Sequence, residues 1–136
     1  MTNNPNPIFQ NQRVLVVDDI KKWIKVAKDN LTYYGCPLEN IIAAEDVENG
    51  FTKYLEQHPT FSMVDINFNK HNLEDVQGLD LIRKLRKNDH ESLIMAMSSL
   101  VGNIEERTKQ AGANYFIDKQ DFVGGFDNFV KWYSER

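Results

Sequence analysis

The sequence of 136 residues lacks the features of disulfide-bonded, membrane-spanning and secreted proteins. Cys36 is the only cysteine in the sequence, so the chain forms neither an internal disulfide nor a Cys-x-x-Cys metal site, and it suits a reducing compartment. No apolar run approaches the length needed to cross a membrane, and the start, MTNNPNPIFQNQ, lacks the charged and apolar parts of a secretion signal. We therefore expect a cytoplasmic protein with no membrane segment.

Positive charge is also scarce. The chain has 16 Lys and Arg against 20 Asp and Glu, and no basic run of the kind that follows a phosphate backbone, so direct nucleic-acid binding is not expected. Apolar residues make up 41% and charged residues 26%, as in an ordinary globular chain. The length suits one domain, and we expect residues 1–11 to be a flexible N-terminal tail and residues 12–136 to be that domain.

Apolar patterns alternate along the chain between those of strands and those of helices. Short apolar runs predict buried strands at 13–17, 40–44, 61–66, 93–97 and 114–117. Apolar residues spaced by three and four predict helices at 20–31, 47–55, 78–87, 103–112 and 126–133. Five strands that alternate with five helices indicate an α/β fold, in which a parallel sheet has helices on both faces.

Polar residues collect where the predicted strands end. Asp18 and Asp19 close the first strand, Asp65 closes the third, Ser98 follows the fourth and Lys119 follows the fifth. In such sheets ligands bind outside the carboxyl ends of the strands. Two adjacent carboxylates by themselves are more often a solvated turn, but their convergence with groups from three other strands favours a cation site that relieves their repulsion.

The donor set is the one that Mg²⁺ prefers, because this ion takes oxygen ligands and binds through one or two carboxylates plus phosphate oxygens. Asp19 and Asp65 are predicted to be direct metal ligands, and Asp18 to act largely through water. The backbone carbonyl of Asn67 is predicted to add one more oxygen. The cation would offset both the carboxylate repulsion and the charge of an incoming phosphoryl group.

A phosphoryl acceptor can be assigned within the same set. Asp65 can serve as the nucleophile, since aspartyl phosphate is an established covalent form of this side chain. Ser98 would donate a hydrogen bond to one phosphoryl oxygen, and Lys119 would pair with another as a compact charge. The strand ends therefore predict a Mg²⁺-dependent phosphoacceptor site.

Four short motifs, VVDD, MVDIN, MSS and FIDK, occur in this order between the predicted helices. Together they resemble the CheY-like receiver domain of bacterial-type response regulators. The segments GLDLIRKLR and AGANYFIDK are similar to that family's third helix and to the approach to its lysine. The resemblance covers residues 12–136, which is nearly the whole chain.

The resemblance implies a doubly wound, flavodoxin-like sheet of five strands in the order 2-1-3-4-5. It also implies Mg²⁺-dependent phosphotransfer to Asp65 from a sensor histidine kinase or a phosphotransfer protein, followed by hydrolysis in place. We thus expect no enzyme activity beyond this self-phosphorylation and self-dephosphorylation. Ser98 and Phe116 are the implied switch residues, and a core aromatic on an inner strand is the alternative interpretation of Phe116. The signal would reach a downstream protein through the fourth helix, fifth strand and fifth helix, at about 103–133.

The sequence departs from the family at three positions. The family's Met-Pro after the acceptor is absent, and its glycine comes late, because Gly78 lies thirteen positions after Asp65. Gln120 replaces the proline that usually follows the family's lysine in a cis peptide. A cis bond without proline costs about 2.5–4 kcal/mol, so we expect a trans bond there. Ser99 stands where the family has Ala or Gly, and we interpret it as a small residue.

Three further residues are interpreted as structural. Trp23 and Trp132 lie at helical core spacing and are predicted to pack in the interior. His71, in the long segment after the third strand, is interpreted as a solvated loop residue because no second histidine is near it in the sequence.

Other functions stay open at this point. A pseudo-receiver that binds a partner without phosphorylation is favoured by the longer loop and opposed by the complete acidic, Ser and Lys set. A phosphatase with an Asp nucleophile commonly needs a second Asp two residues later, where this chain has Ile20 after Asp18 and Asn67 after Asp65. A flavodoxin-like cofactor protein is disfavoured, since the two aspartates after the first strand would repel a bound phosphate.

Overall fold

The computed structural model describes residues 7–68, 75–100 and 102–136. Within them, five strands alternate with five α-helices, in the order β1 Val14–Val17, α1 Lys21–Tyr33, β2 Ile41–Ala44, α2 Val47–Gln57, β3 Phe61–Asp65, α3 Gln77–Asn88, β4 Leu93–Ser98, α4 Ile104–Ala111, β5 Tyr115–Asp118 and α5 Phe122–Ser134. The strands pair in parallel in the order β2-β1-β3-β4-β5. The predicted fold class and strand order are confirmed.

The sheet has a separate apolar core on each face, because neighbouring side chains of a strand point to opposite sides. In β1, Val14 and Val16 face the core formed with α1 and α5, whereas Leu15 and Val17 face the core formed with α2, α3 and α4. All four side chains are fully buried. This explains why β1 is an unbroken apolar run instead of an alternating one.

The helices that cover the sheet are short. The longest two, α1 and α5, have 13 residues each. None of the helices in the described ranges is long and apolar enough to span a membrane.

The segment before β1 is anchored to the core. Phe9 is fully buried and stacks on Phe61 of β3 with the ring centroids 5.8 Å apart. The predicted flexible tail over 1–11 is therefore wrong for residues 7–11, since an aromatic side chain buried at this position fixes its neighbours. Residues 1–6 lie outside the described residues.

The helix after β3 packs directly on the end of that strand. The Gly78 N–H donates a hydrogen bond to the Ile66 carbonyl at 3.0 Å, and a Cβ on Gly78 would overlap the Asp65 carbonyl oxygen. Gly78 is thus required for the close approach of two backbones, although it lies farther after Asp65 than the family's glycine usually does. His71 falls within 69–74, outside the described residues.

The turn after β5 brings Lys119 to the sheet edge without proline. None of the described peptide bonds is cis, so the bond between Lys119 and Gln120 is trans, as predicted. The Asp118 carboxylate accepts a hydrogen bond from the Gln120 N–H at 2.9 Å and starts a 3₁₀ turn, Lys119–Asp121, that leads into α5. The Lys119 side chain is buried at the start of this turn.

Candidate functional site

Three carboxylates and one ammonium group meet at the carboxyl edge of the sheet. Carboxylate oxygens of Asp18, Asp19 and Asp65 lie within 4.8 Å of one another. The Lys119 Nζ lies 2.7 Å from Asp18 Oδ2 and 2.9 Å from Asp65 Oδ1. The structure therefore brings together four of the residues that the sequence places at strand ends.

This cluster is held in a poorly solvated environment. Asp18, Asp65 and Lys119 are only 0%, 3% and 6% exposed. Burial and, to a smaller extent, the neighbouring Asp18 raise the pKa of Asp65 to about 7, against the opposing effect of the Lys119 ammonium. Burial raises the pKa of Asp18 as well, against the same ammonium. The ion pairs would by themselves lower both pKa values, but desolvation dominates, and the one ammonium is shared between the two carboxylates.

Three carboxylate oxygens of the cluster are buried without a hydrogen-bond partner: Asp18 Oδ2, Asp19 Oδ1 and Asp65 Oδ2. This is costly for a carboxylate removed from water. Asp18 is engaged differently, since its Oδ1 accepts a hydrogen bond from the Ile20 N–H at 3.0 Å and its Oδ2 pairs with Lys119. The residues therefore fit a divalent cation, with Asp19 and Asp65 offering the open ligand atoms that Mg²⁺ takes.

A small pocket of about 190 Å³ opens onto the cluster. It is lined by Ile20, Trp23, Asp65, Asn67, Ser99, Leu100 and Lys119. Since a water molecule takes up about 30 Å³ of liquid, the pocket has room for a phosphoryl group and a few waters. The position of Asn67 in this lining suits its predicted role as a metal ligand, which stays a prediction.

The two serines after β4 occupy different positions. Ser98 is buried at the strand end, and its Oγ accepts a hydrogen bond from the Leu100 N–H at 2.9 Å. A hydroxyl that accepts in this way keeps its own proton for donation. Ser99 is exposed and lines the pocket. Contact of Ser98 with a phosphoryl group stays a prediction.

The other predicted switch residue lies on the edge strand. Phe116, in β5, is half-buried and packs against the core formed with α2, α3 and α4. It therefore has both a packed side and an exposed side. Its part in a switch also stays a prediction.

Trp23 contributes to the site in a way that its interpretation as a packing residue missed. The Lys119 Nζ lies 5.1 Å from the centroid of its ring, and Phe122 packs against it with the ring centroids 5.9 Å apart. The spacing between Asp19 and Trp23 in the sequence could have predicted this contact, because a residue one helical turn after the strand end lies over that edge of the sheet. Trp132 packs against Tyr115 and Phe129, as predicted.

Comparison with protein families matches residues 14–122 to the response regulator receiver domain. Comparison with curated protein sequences gives no significant match. Among solved structures, the receiver domain of NtrX from Brucella abortus is similar with a TM-score of 0.71 and 22% identity, over 87% of this chain and 94% of that one.

Two further structures agree in fold. A CheY-like receiver domain protein from Methanospirillum hungatei has a TM-score of 0.73 and 19% identity, over 91% of both chains. The BeF₃-activated receiver domain of DrrB, a protein of Thermotoga maritima, has a TM-score of 0.73 and 20% identity, over 92% of this chain and 98% of that one. At this level of identity the likeness shows the fold, and the family match supplies the functional class.

Proposed function

Because the chain belongs to the response regulator receiver domain family of two-component signalling, we propose that it accepts a phosphoryl group on Asp65 from a histidine kinase or a phosphotransfer protein, with Mg²⁺ as cofactor. The observation that carries this proposal is the cluster of Asp18, Asp19 and Asp65, in which the buried Asp18 and Asp65 pair with the Lys119 ammonium. Three carboxylates with one counter-charge are poorly stable as a purely structural arrangement and suit a site that receives a cation. The proposal includes a cytoplasmic location.

The transfer step requires Asp65 as a carboxylate. One of its oxygens attacks the phosphorus of a phosphohistidine; the new O–P bond forms as the P–N bond breaks, and the electron pair leaves with the imidazole nitrogen. Bound Mg²⁺ would neutralise charge on the phosphoryl oxygens and keep Asp65 ionised. Asp19 and Asp65 would hold the ion directly, with Asp18 acting through water and the Asn67 carbonyl as a further ligand.

Two side chains are proposed to contact the phosphoryl oxygens. The Lys119 ammonium already lies 2.9 Å from Asp65 Oδ1, so one oxygen of a group on Asp65 falls within its reach. The Ser98 hydroxyl, at the end of the neighbouring strand, would donate to a second oxygen. Attack of water on the phosphorus then releases phosphate and restores the Asp65 carboxylate. We propose no catalytic turnover of other substrates.

Intact-mass analysis after incubation with acetyl phosphate and Mg²⁺ tests this function. The wild-type chain should gain one phosphoryl group that hydroxylamine removes, and Asp65→Ala should gain none. Asp80→Ala is the matched control, because Asp80 is an exposed carboxylate on α3, and this variant should be modified like the wild type. Equal modification of Asp65→Ala contradicts the proposal. A wild-type chain that binds Mg²⁺ but stays unmodified would instead be a pseudo-receiver.

We also propose that the signal leaves through α4, β5 and α5, at about 103–133, to a downstream protein. Support comes from the strand register: Ser98 is paired with Asp118, and Ala96 with Phe116. A displacement at the end of β4 is therefore passed directly to β5. The surface and its partner stay proposals, which the response of amide resonances over 103–133 to beryllofluoride tests.

A further inference from the structure

Lys119 is committed to the same carboxylates that the proposed function needs for a cation. Its Nζ forms ion pairs with Asp18 and Asp65, at 2.7 and 2.9 Å. A divalent cation on the open oxygens of Asp19 and Asp65 shares the Asp65 carboxylate with Lys119 and repels the ammonium at short range. Lys119 therefore needs another partner in the cation-bound protein. This inference rests on the proposed function.

Water is a poor candidate for that partner, since the Lys119 side chain is only 4% exposed. The nearest alternative is the face of the Trp23 ring, whose centroid lies 5.1 Å from Nζ. This is inside the range of a cation–π contact, which extends to about 6 Å, and it leaves room for a closer approach. Such contacts are strongest where the cation is desolvated, as it is here.

The Trp23 ring is itself held in place. It packs against Phe122 at the start of α5, and its residue lies in the first turn of α1. It also forms part of the wall of the pocket that opens onto Asp65. A ring fixed in this way offers the ammonium a defined position between the cluster and the pocket.

We propose that Trp23 is a positioning residue for Lys119. Its ring holds the ammonium at the margin of the cluster when a cation occupies the carboxylates, so that Lys119 remains within reach of a phosphoryl oxygen on Asp65. Trp23 thereby lowers the cost of moving Lys119 away from Asp18. Because a residue shifts an equilibrium only through contacts that differ between the two states, Trp23 favours the cation-bound state by its closer contact there.

Calorimetric titration of the full chain with Mg²⁺ tests this role at fixed pH and ionic strength. Trp23→Leu should bind Mg²⁺ about threefold to tenfold more weakly than the wild type, and Trp23→Phe, which keeps an aromatic face, should lose less. Trp132→Leu is the matched control. Its ring lies 4.9 Å from the Arg136 guanidinium but touches none of the cluster, so this variant should bind as the wild type does.

A double-mutant cycle separates positioning from simple packing. In a Lys119→Met background there is no ammonium to hold, so Trp23→Leu should change Mg²⁺ affinity by less than about twofold. An equal loss in both backgrounds, or no loss in either, overturns the proposal. If Trp23→Leu does not fold without metal, as judged by circular dichroism, Trp23→Met takes its place in the same cycle.

Fluorescence gives a second readout. The chain has two tryptophans, so Trp132→Phe leaves Trp23 as the only one. Mg²⁺ should change the emission of this variant, and adding Lys119→Met should abolish most of that change. Emission that responds equally with and without Lys119 counts against the proposal. Failure of wild-type Mg²⁺ binding or of Asp65 phosphorylation would instead reject the proposed function, so the two failures are distinguishable.

Discussion

Asp65 is subject to two opposing requirements, because the proposed function needs it ionised as a nucleophile yet it is buried beside Asp18. Burial and that neighbour raise its pKa to about 7, against the effect of Lys119. The ordinary value is near 3.8. Between pH 4 and pH 7 the folded protein thus binds a proton that the unfolded chain has released, and the stability contributed by this residue falls as pH rises through that window.

Replacement of Asp65 by Asn should therefore stabilise the protein in the absence of Mg²⁺. At pH 8 we expect a gain on the order of 2 kcal/mol, since an amide carries no charge to bury, and at pH 4 little difference from the wild type, whose Asp65 is then protonated. Urea denaturation at both pH values measures this, with Asp80→Asn as the exposed control. A gain that is equal at pH 4 and pH 8 would show that charge is not its cause.

At the scale of elements, the predicted strands agree with the observed ones to within a residue or so at each end. This agreement has a physical cause: strands buried on both faces leave continuous apolar runs in the sequence. The burial of Phe9 could not be predicted in this way, because a single aromatic residue in a segment of asparagines and prolines shows no apolar periodicity. Its burial depends on stacking against Phe61, a contact between positions far apart in the chain.

Within the site, too, some features follow from the sequence pattern and others depend on contacts between distant positions. The positions of Asp18, Asp19, Asp65 and Lys119 at strand ends were predictable from topology. The two ion pairs of Lys119 and its approach to Trp23 were not, since they depend on side-chain rotamers and on the turn that starts α5.

The start of α3 lies directly against the backbone of Asp65. A Cβ on Gly78 would overlap the Asp65 carbonyl oxygen, so Gly78→Ala should force α3 away from β3. We expect a loss of about 3 kcal/mol in the free energy of unfolding together with slower modification of Asp65 by acetyl phosphate.

Gly102→Ala provides the control for that substitution. Gly102 has a φ of +95° but nothing within 4 Å of an added Cβ, so only backbone strain of about 1 kcal/mol is expected and modification should be unaffected. Urea denaturation of both variants measures the difference. Equal losses would show that crowding at the end of β3 is unimportant.

For the whole molecule, the site and the proposed output surface are connected through one strand end. The Ser98 Oγ accepts a hydrogen bond from the Leu100 N–H and so fixes the backbone after β4. Attraction of Ser98 to a phosphoryl oxygen on Asp65 would alter that backbone, while its pairing with Asp118 passes the change to β5. Phe116, half-buried on the same strand, is the side chain that we expect to respond.

Ser98→Ala should therefore allow phosphorylation but weaken the conformational response. Beryllofluoride, a phosphoryl mimic, should shift amide resonances over 103–133 in the wild type and shift them clearly less in Ser98→Ala, because the alanine makes no differential contact with the added group. Ser99→Ala, which removes the exposed neighbouring hydroxyl, should respond as the wild type does. Identical shifts in Ser98→Ala and the wild type would show that Ser98 does not couple the site to this surface, and absence of shifts over 103–133 in the wild type would place the output surface elsewhere.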